Sequence, residues 1–198
     1  MRTPITHAVR DDRGVTLVEL MIYSALMLVI ITIAGAILGS ALRGQRDIAA
    51  SSSGTNAGQL VAQSISTGVR SATEITVKSV NSTTQMLIIR TPGLAATASA
   101  RCQAWYFTTD NGGAVYSTTS ASSIPTPTAA QLATWTKLTS GILLSPRSGA
   151  PTAILTADAT PTRSITFEWA MANASAQPII ISSTASTRQS ITGSTSCV

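Results

Sequence analysis

Polar and apolar positions along the chain divide it into one long apolar run followed by many short ones. From Leu20 to Leu42 no residue is charged. About 20 apolar residues cross a hydrocarbon core about 30 Å thick as a helix. The run therefore predicts a membrane-spanning helix, and it exceeds the h-region of an ordinary secretory signal. Beyond Arg46 the pattern stays helical. Ala57, Val61, Ile65 and Val69 recur at i+4, with Leu60 beside them, which marks one apolar face of an amphipathic helix. Ser51-Ser52-Ser53-Gly54 interrupts that pattern and predicts a kink or break.

From Glu74 the period shortens. Ile75-Thr76-Val77 alternates, and Met86-Leu87-Ile88-Ile89 is continuous up to Thr91-Pro92-Gly93. Ala104-Trp105-Tyr106-Phe107 and Ala114-Val115-Tyr116 flank Asp110-Asn111-Gly112-Gly113, a hairpin signal. Residues 117–130, rich in Ser, Thr, Pro and Ala, read as a loop. Ile142-Leu143-Leu144, Ala153-Ile154-Leu155, Ile165 to Trp169 and Ile179-Ile180-Ile181 read as further strands. Strands grouped after a helix indicate an α+β fold: a long N-terminal helix, membrane-spanning in its first half, packed on an antiparallel β-sheet domain. Trp105, Trp135 and Trp169 read as core or sheet-face anchors.

Composition adds little to this picture except by exclusion. The 198 residues carry a formal charge of +5, yet Arg70, Lys78, Arg90, Arg101, Lys137, Arg147, Arg163 and Arg188 are scattered. A nucleic-acid reader usually gathers such residues into a patch, so DNA binding is only weakly supported. The one histidine, His7, lies near the N-terminus. The chain beyond it offers no Ser-His or Cys-His pair, no His-based zinc site and no phosphate-binding glycine loop. No catalytic residue, cofactor or metal site is assigned, and the chain does not read as an enzyme. Cys102 and Cys197 pair in an exported chain or stay as thiols in a cytosolic one, so that choice waits on compartment.

Glu19 is the misfit of the apolar run. It follows Val15-Thr16-Leu17-Val18 and so interrupts the apolar stretch instead of bounding it. One reading makes it an interfacial flank. The other makes it a half-buried charge that requires a partner, which no basic residue within the run supplies, so the partner comes from outside this helix.

The residues "RGVTLVELMIYSALMLVI" resemble the leader and N-terminal helix of the type IV pilin superfamily: a basic leader, Gly14, an apolar residue, Thr16-Leu17, an acid five positions after the glycine, then a long apolar helix. The match covers about the first quarter of the chain, and its details look most like minor pilins and pseudopilins. The resemblance implies cleavage by prepilin peptidase after Gly14, between Gly14 and Val15, and methylation of the new N-terminus at Val15. It implies pairing of Glu19 with the N-terminal amine of a neighbouring subunit in the filament. Val15 stands where phenylalanine is commoner in that family. Many pilins also carry a proline in this helix; here Gly35 and Gly39 occupy that neighbourhood, as a loosening point or a small-xxx-small packing face.

The implied organisation is a leader (1–14), a transmembrane and assembly helix (15–43), its amphipathic continuation (44–72) and a β-rich exported domain (73–198). Arg2, Arg10 and Arg13 against Arg43 and Arg46 give only a slight positive-inside bias. An N-in orientation therefore rests on the resemblance. It implies a single-pass cytoplasmic-membrane precursor and then an extracellular filament, with prepilin peptidase, other pilin subunits and the membrane as partners. In that exported setting a Cys102–Cys197 disulfide is the expectation, worth roughly 4–5 kcal/mol in the chain-entropy account. Two other readings stand beside the filament subunit: an exported binding domain on an uncleaved single-pass anchor, and a hydrolase with paired carboxylates.

Overall fold

The computed structural model describes residues 16–93, 99–147, 149, 153–158, 160–173, 177–191 and 196–198. The fold is α+β, with a long N-terminal helix and antiparallel sheets. Helix α1 runs Leu17–Ser71. Residues up to Arg46 form one compact unit and Asp47–Val198 the other.

In the first unit, α1 exposes every large apolar side chain from Leu17 to Leu42. Its few hydroxyls turn back onto the helix: Ser24 donates to the Met21 carbonyl at 2.9 Å, Thr32 to Val29 at 2.8 Å and Ser40 to Ile37 at 2.8 Å. Such bonds satisfy these three hydroxyls within the helix, as an apolar medium demands.

In the second unit, α1 packs on the sheets. Val61, Ile65 and Val69 are buried and Ala57 partly so, as the i+4 pattern predicts. Leu60 is not on that face; it is 66% exposed. It lies one residue, about 100°, round the helix from Val61. Gly58 and Gly68 share the buried face instead. A Cβ on Gly68 would stand 2.6 Å from the Trp105 ring and 2.8 Å from Ile89 Cδ1, so its absence sets how near helix and sheet approach. The expected break at Ser51–Gly54 does not occur; α1 is continuous there. Ser51 accepts from the Asn173 amide at 2.8 Å, and Thr55 donates to the Ser51 carbonyl at 2.8 Å. Gly54 faces Ile179 and Met171. Small polar residues fit this stretch to its neighbours, and that packing outweighs their weak helix propensity.

Strands β1 (Glu74–Ser79), β2 (Thr84–Thr91), β3 (Arg101–Thr108), β4 (Ala114–Ser120) and β5 (Thr136–Ser140) form one antiparallel sheet in chain order. A 3₁₀ turn, Asp110–Gly112, joins β3 to β4, with Asn111 at φ 50°. The expected loop at 117–130 is shorter than predicted: β4 continues to Ser120, and a short helix α2 (Ala129–Leu132) follows, capped by Thr128 and Gln131. Strands β6 (Ile142–Leu143), β7 (Leu155–Ala157), β8 (Ser164–Met171) and β9 (Ile179–Ser186) form a second sheet, with β8 paired to all three others.

Ile75, Leu87, Ile89, Trp105, Phe107 and Val115 of the first sheet and Ile165, Phe167, Trp169 and Met171 of the second meet α1 in one core. Phe107 and Phe167 pack on Trp169, with ring centroids 5.7 and 5.2 Å away. On the outer face of the first sheet Met86, Ile88, Cys102 and Ala104 form a second cluster with Ile124 and Cys197. This explains the unbroken apolar run in β2: it is buried on both faces. Cys102 and Cys197 are disulfide-bonded, with Cα atoms 5.6 Å apart.

Gln85 joins the two sheets. Its Oε1 accepts from the Leu155 N–H at 2.8 Å, and its Nε2 donates to the Leu155 carbonyl at 3.2 Å. Ile154 accepts from Glu168 and Asp158 donates to Ser164, which makes those the hydrogen-bonded pairs between β7 and β8. Leu155, opposite Phe167, therefore turns its own backbone groups away from β8. The Gln85 amide satisfies them. Gln85→Leu leaves a buried N–H and carbonyl unpaired, at about 1–3 kcal/mol per group. We expect a clearly lower melting temperature for this variant by circular dichroism, with the helical and strand signal before melting unchanged. An unshifted melt would show that the bridge contributes nothing.

Candidate assembly site

The proposed cleavage and methylation residues, Gly14 and Val15, lie outside the described residues. The first described residue, Thr16, closes the start of α1. Its Oγ1 accepts from the Glu19 N–H at 3.3 Å, and its carbonyl accepts from the Leu20 N–H at 3.1 Å. This is one half of a capping box, Thr-x-x-Glu, with the acid in the first turn. A carboxylate there is favoured by the positive end of the helix dipole, by about 0.3–1 kcal/mol. The Thr-x-x-Glu spacing was readable in the sequence and gives Glu19 a local role beside any intermolecular one.

Glu19 also has a neutral hydrogen-bond partner on its own helix, distinct from the charged partner expected from outside it. Tyr23 Oη donates to Glu19 Oε1 at 3.0 Å. Positions i and i+4 share a helix face, so Tyr23 is the residue that a search for cations alone overlooks. The donor is neutral, so the negative charge stays uncompensated. Among the described residues Oε2 has no partner. The carboxylate is thus held in place on one oxygen, and the other is open.

Around it, Leu17, Val18, Leu20, Met21 and Ile22 are exposed. At about 25 cal/mol per Å² of apolar surface, a helix so exposed is unfavourable in water; it belongs among lipids or other apolar helices. This one helix is long and apolar enough to cross a membrane. A Cβ added at Gly35 or Gly39 would meet nothing within 4 Å. Among the described residues their smallness serves no contact.

Two carboxylates of the β-rich unit are buried, on different strands. Glu74 lies on β1, where Ser196 Oγ donates to its Oε2 at 3.3 Å. Glu168 lies on β8, with Arg147 Nη1 3.7 Å from its Oε2. Among the described residues no group of three or more His, Cys, Asp or Glu is placed to hold a metal.

Residues 9–35 match the family described as the prokaryotic N-terminal methylation motif. That motif is the hallmark of type IV pilin and prepilin-like proteins. It covers the stretch from Val9 through Glu19 to Gly35, and so contains the helix start described above. Neither the curated proteins nor the solved structures yield a match to the chain.

Proposed function

We propose that the chain is a structural subunit of a type IV pilus-like filament, a minor pilin or pseudopilin, cut after Gly14 and assembled through its N-terminal helix. One observation carries the reading: the methylation motif coincides with the first part of a helix whose large apolar side chains from Leu17 to Leu42 are all exposed. Before assembly that surface sits in the membrane; afterwards neighbouring subunits cover it. Hydrolysis of the Gly14–Val15 bond by prepilin peptidase frees the Val15 amine, which is then methylated. The amine remains a cation, and Glu19 of an adjacent subunit is its counterion. The remaining β-rich unit forms the exposed body of the subunit outside the cytoplasm.

The mature N-terminus tests this directly. Mass spectrometry should find a chain starting at Val15 and carrying a methyl group. Gly14→Phe should accumulate as the uncut precursor in the membrane, because a bulky side chain blocks close backbone access while the apolar run still inserts. A Gly14→Phe chain that matures to the wild-type size would place the cut elsewhere. A wild-type chain that keeps its leader would favour the uncleaved single-pass anchor instead.

A further inference from the structure

The outer face of the five-stranded sheet carries a row of side chains that one-dimensional reading scatters. Lys78 pairs in register with Met86, Met86 with Tyr106, Tyr106 with Tyr116, and Tyr116 with Lys137. Directly opposed residues of antiparallel strands share a face, so these five stand side by side across β1 to β5. The face is the one away from α1, because Val77, Leu87, Trp105, Val115 and Leu138 turn into the main core. Met86 is buried; Lys78, Tyr106 and Tyr116 are half-buried, and Lys137 is exposed. Trp135 adds a third ring, set edge-on to Tyr106 with centroids 6.3 Å apart.

The charge on this face is one-sided. Among the described residues its only carboxylate in register is Glu74, which is buried and sits opposite Arg90 at the other end of the sheet. Among the described residues neither Lys78 nor Lys137 is ion-paired, and neither Tyr106 nor Tyr116 has a hydrogen-bond partner for its hydroxyl. Four strand spacings of about 4.8 Å separate the two lysines, or roughly 19 Å of backbone.

We propose that this row binds single-stranded nucleic acid, its bases stacking on Tyr106 and Tyr116 and its phosphates meeting Lys78 and Lys137. A sheet face with adjacent aromatic rings is a stacking platform for unpaired bases, and flanking cations track the backbone. The span suits the stretch of about four or more nucleotides that such platforms hold. A duplex hides its base faces, so it gains only the charge contacts. A charged polysaccharide would call for carboxylates or carboxamides in the ring plane to bond its hydroxyls, and the row contains neither.

The test uses the full chain in detergent and a fluorescein-labelled oligothymidylate, with a DNA duplex and heparin as competitors. Binding should weaken with salt. Lys78→Glu with Lys137→Glu should lower affinity at least about tenfold and flatten the log–log salt slope by about 1.4, the contribution of two phosphate contacts on a single strand. Tyr116→Ala should lower affinity about fivefold or more at an unchanged slope. Should the double variant melt early, Lys137→Gln alone, at an exposed edge position, should remove about 0.7 of the slope. No binding of the oligothymidylate, or unchanged binding in the lysine variants, overturns the proposal. So does equal competition by duplex or heparin with no effect of Tyr116→Ala, which would mark a general polyanion surface. The measurement reads the β-rich unit and not N-terminal processing, so it can fail while the filament reading stands.

Discussion

Glu19→Ala should be cut and inserted normally yet be almost absent from sheared filaments. Alanine enters a bilayer more easily than glutamate, so the membrane pool should hold or rise. The local losses are small: the dipole contribution of an acid in the first turn is about 0.3–1 kcal/mol, and the Thr16 cap bond uses the Glu19 backbone N–H, which alanine keeps. Between subunits the loss is larger. Removing one member of a charge pair buried among apolar helices costs about 3–5 kcal/mol, because the other charge is left without a counterion. That corresponds to roughly a hundredfold to several-thousandfold weaker incorporation. Two further variants separate the causes. Glu19→Gln keeps the shape and an acceptor for Tyr23 but no charge, and should fail nearly as badly. Tyr23→Phe deletes only the hydroxyl that steadies the carboxylate, and should assemble close to the wild-type level. The ratio of filament to membrane subunit decides the matter. Comparable incorporation of the Ala, Gln and wild-type forms would return Glu19 to a helix-capping role alone.

The largest stability loss should come from Gly113→Ala in the turn after β3. Gly113 holds φ 69° and ψ 141°, a region that residues with a Cβ scarcely enter. Its added Cβ would also overlap the Ile142 carbonyl, and backbone cannot rotate away as a side chain can. The two segments are pinned there, since Gly141 N–H donates to the Gly112 carbonyl at 3.1 Å and the Gly113 carbonyl at 2.9 Å. Strain and overlap together should cost about 3 kcal/mol or more, a fall of about 10 °C at this chain length. The neighbouring Gly112 is the control. Its φ is 85°, but a Cβ there meets nothing within 4 Å. Gly112→Ala should therefore cost only about 1–2 kcal/mol, the penalty of left-handed backbone alone. Equal melting temperatures for the two variants would show that contact with Ile142 is irrelevant.

What the sequence disclosed follows the range of the interactions involved. Leu20 to Leu42 announces a helix because hydropathy and length suffice, and Val61, Ile65 and Val69 announce its buried face by period. Most strands are legible as β-branched or aromatic runs. Strand β5 is not: Thr136-Lys137-Leu138-Thr139-Ser140 holds a single apolar residue, because it is an edge strand with little to bury. The division into two sheets is equally silent, since it depends on pairings between distant segments. Gln85 belongs to that class; its partner, Leu155, is 70 residues away. The Ser51–Gly54 stretch misleads for the same reason, as Asn173, Ile179 and Met171 reward small residues there. At the candidate site the gap was local. Thr16 with Glu19, and Glu19 with Tyr23, lie at i+3 and i+4, spacings that helix geometry marks and charge alone does not.

The bond between Cys102 and Cys197 spans 95 residues, and a chain is made from its N-terminus. Cys102 therefore emerges long before the residue that will complete it. Strands β1 to β4 can meanwhile pair hairpin by hairpin, each with its neighbour in sequence. Their outer surface, with Met86, Ile88 and Ala104, is covered only in part, by Ile124, until the segment bearing Cys197 arrives. A chain stopped between Cys102 and Cys197 would thus display two marks of incompleteness at once, an unpaired thiol and an incompletely covered apolar patch.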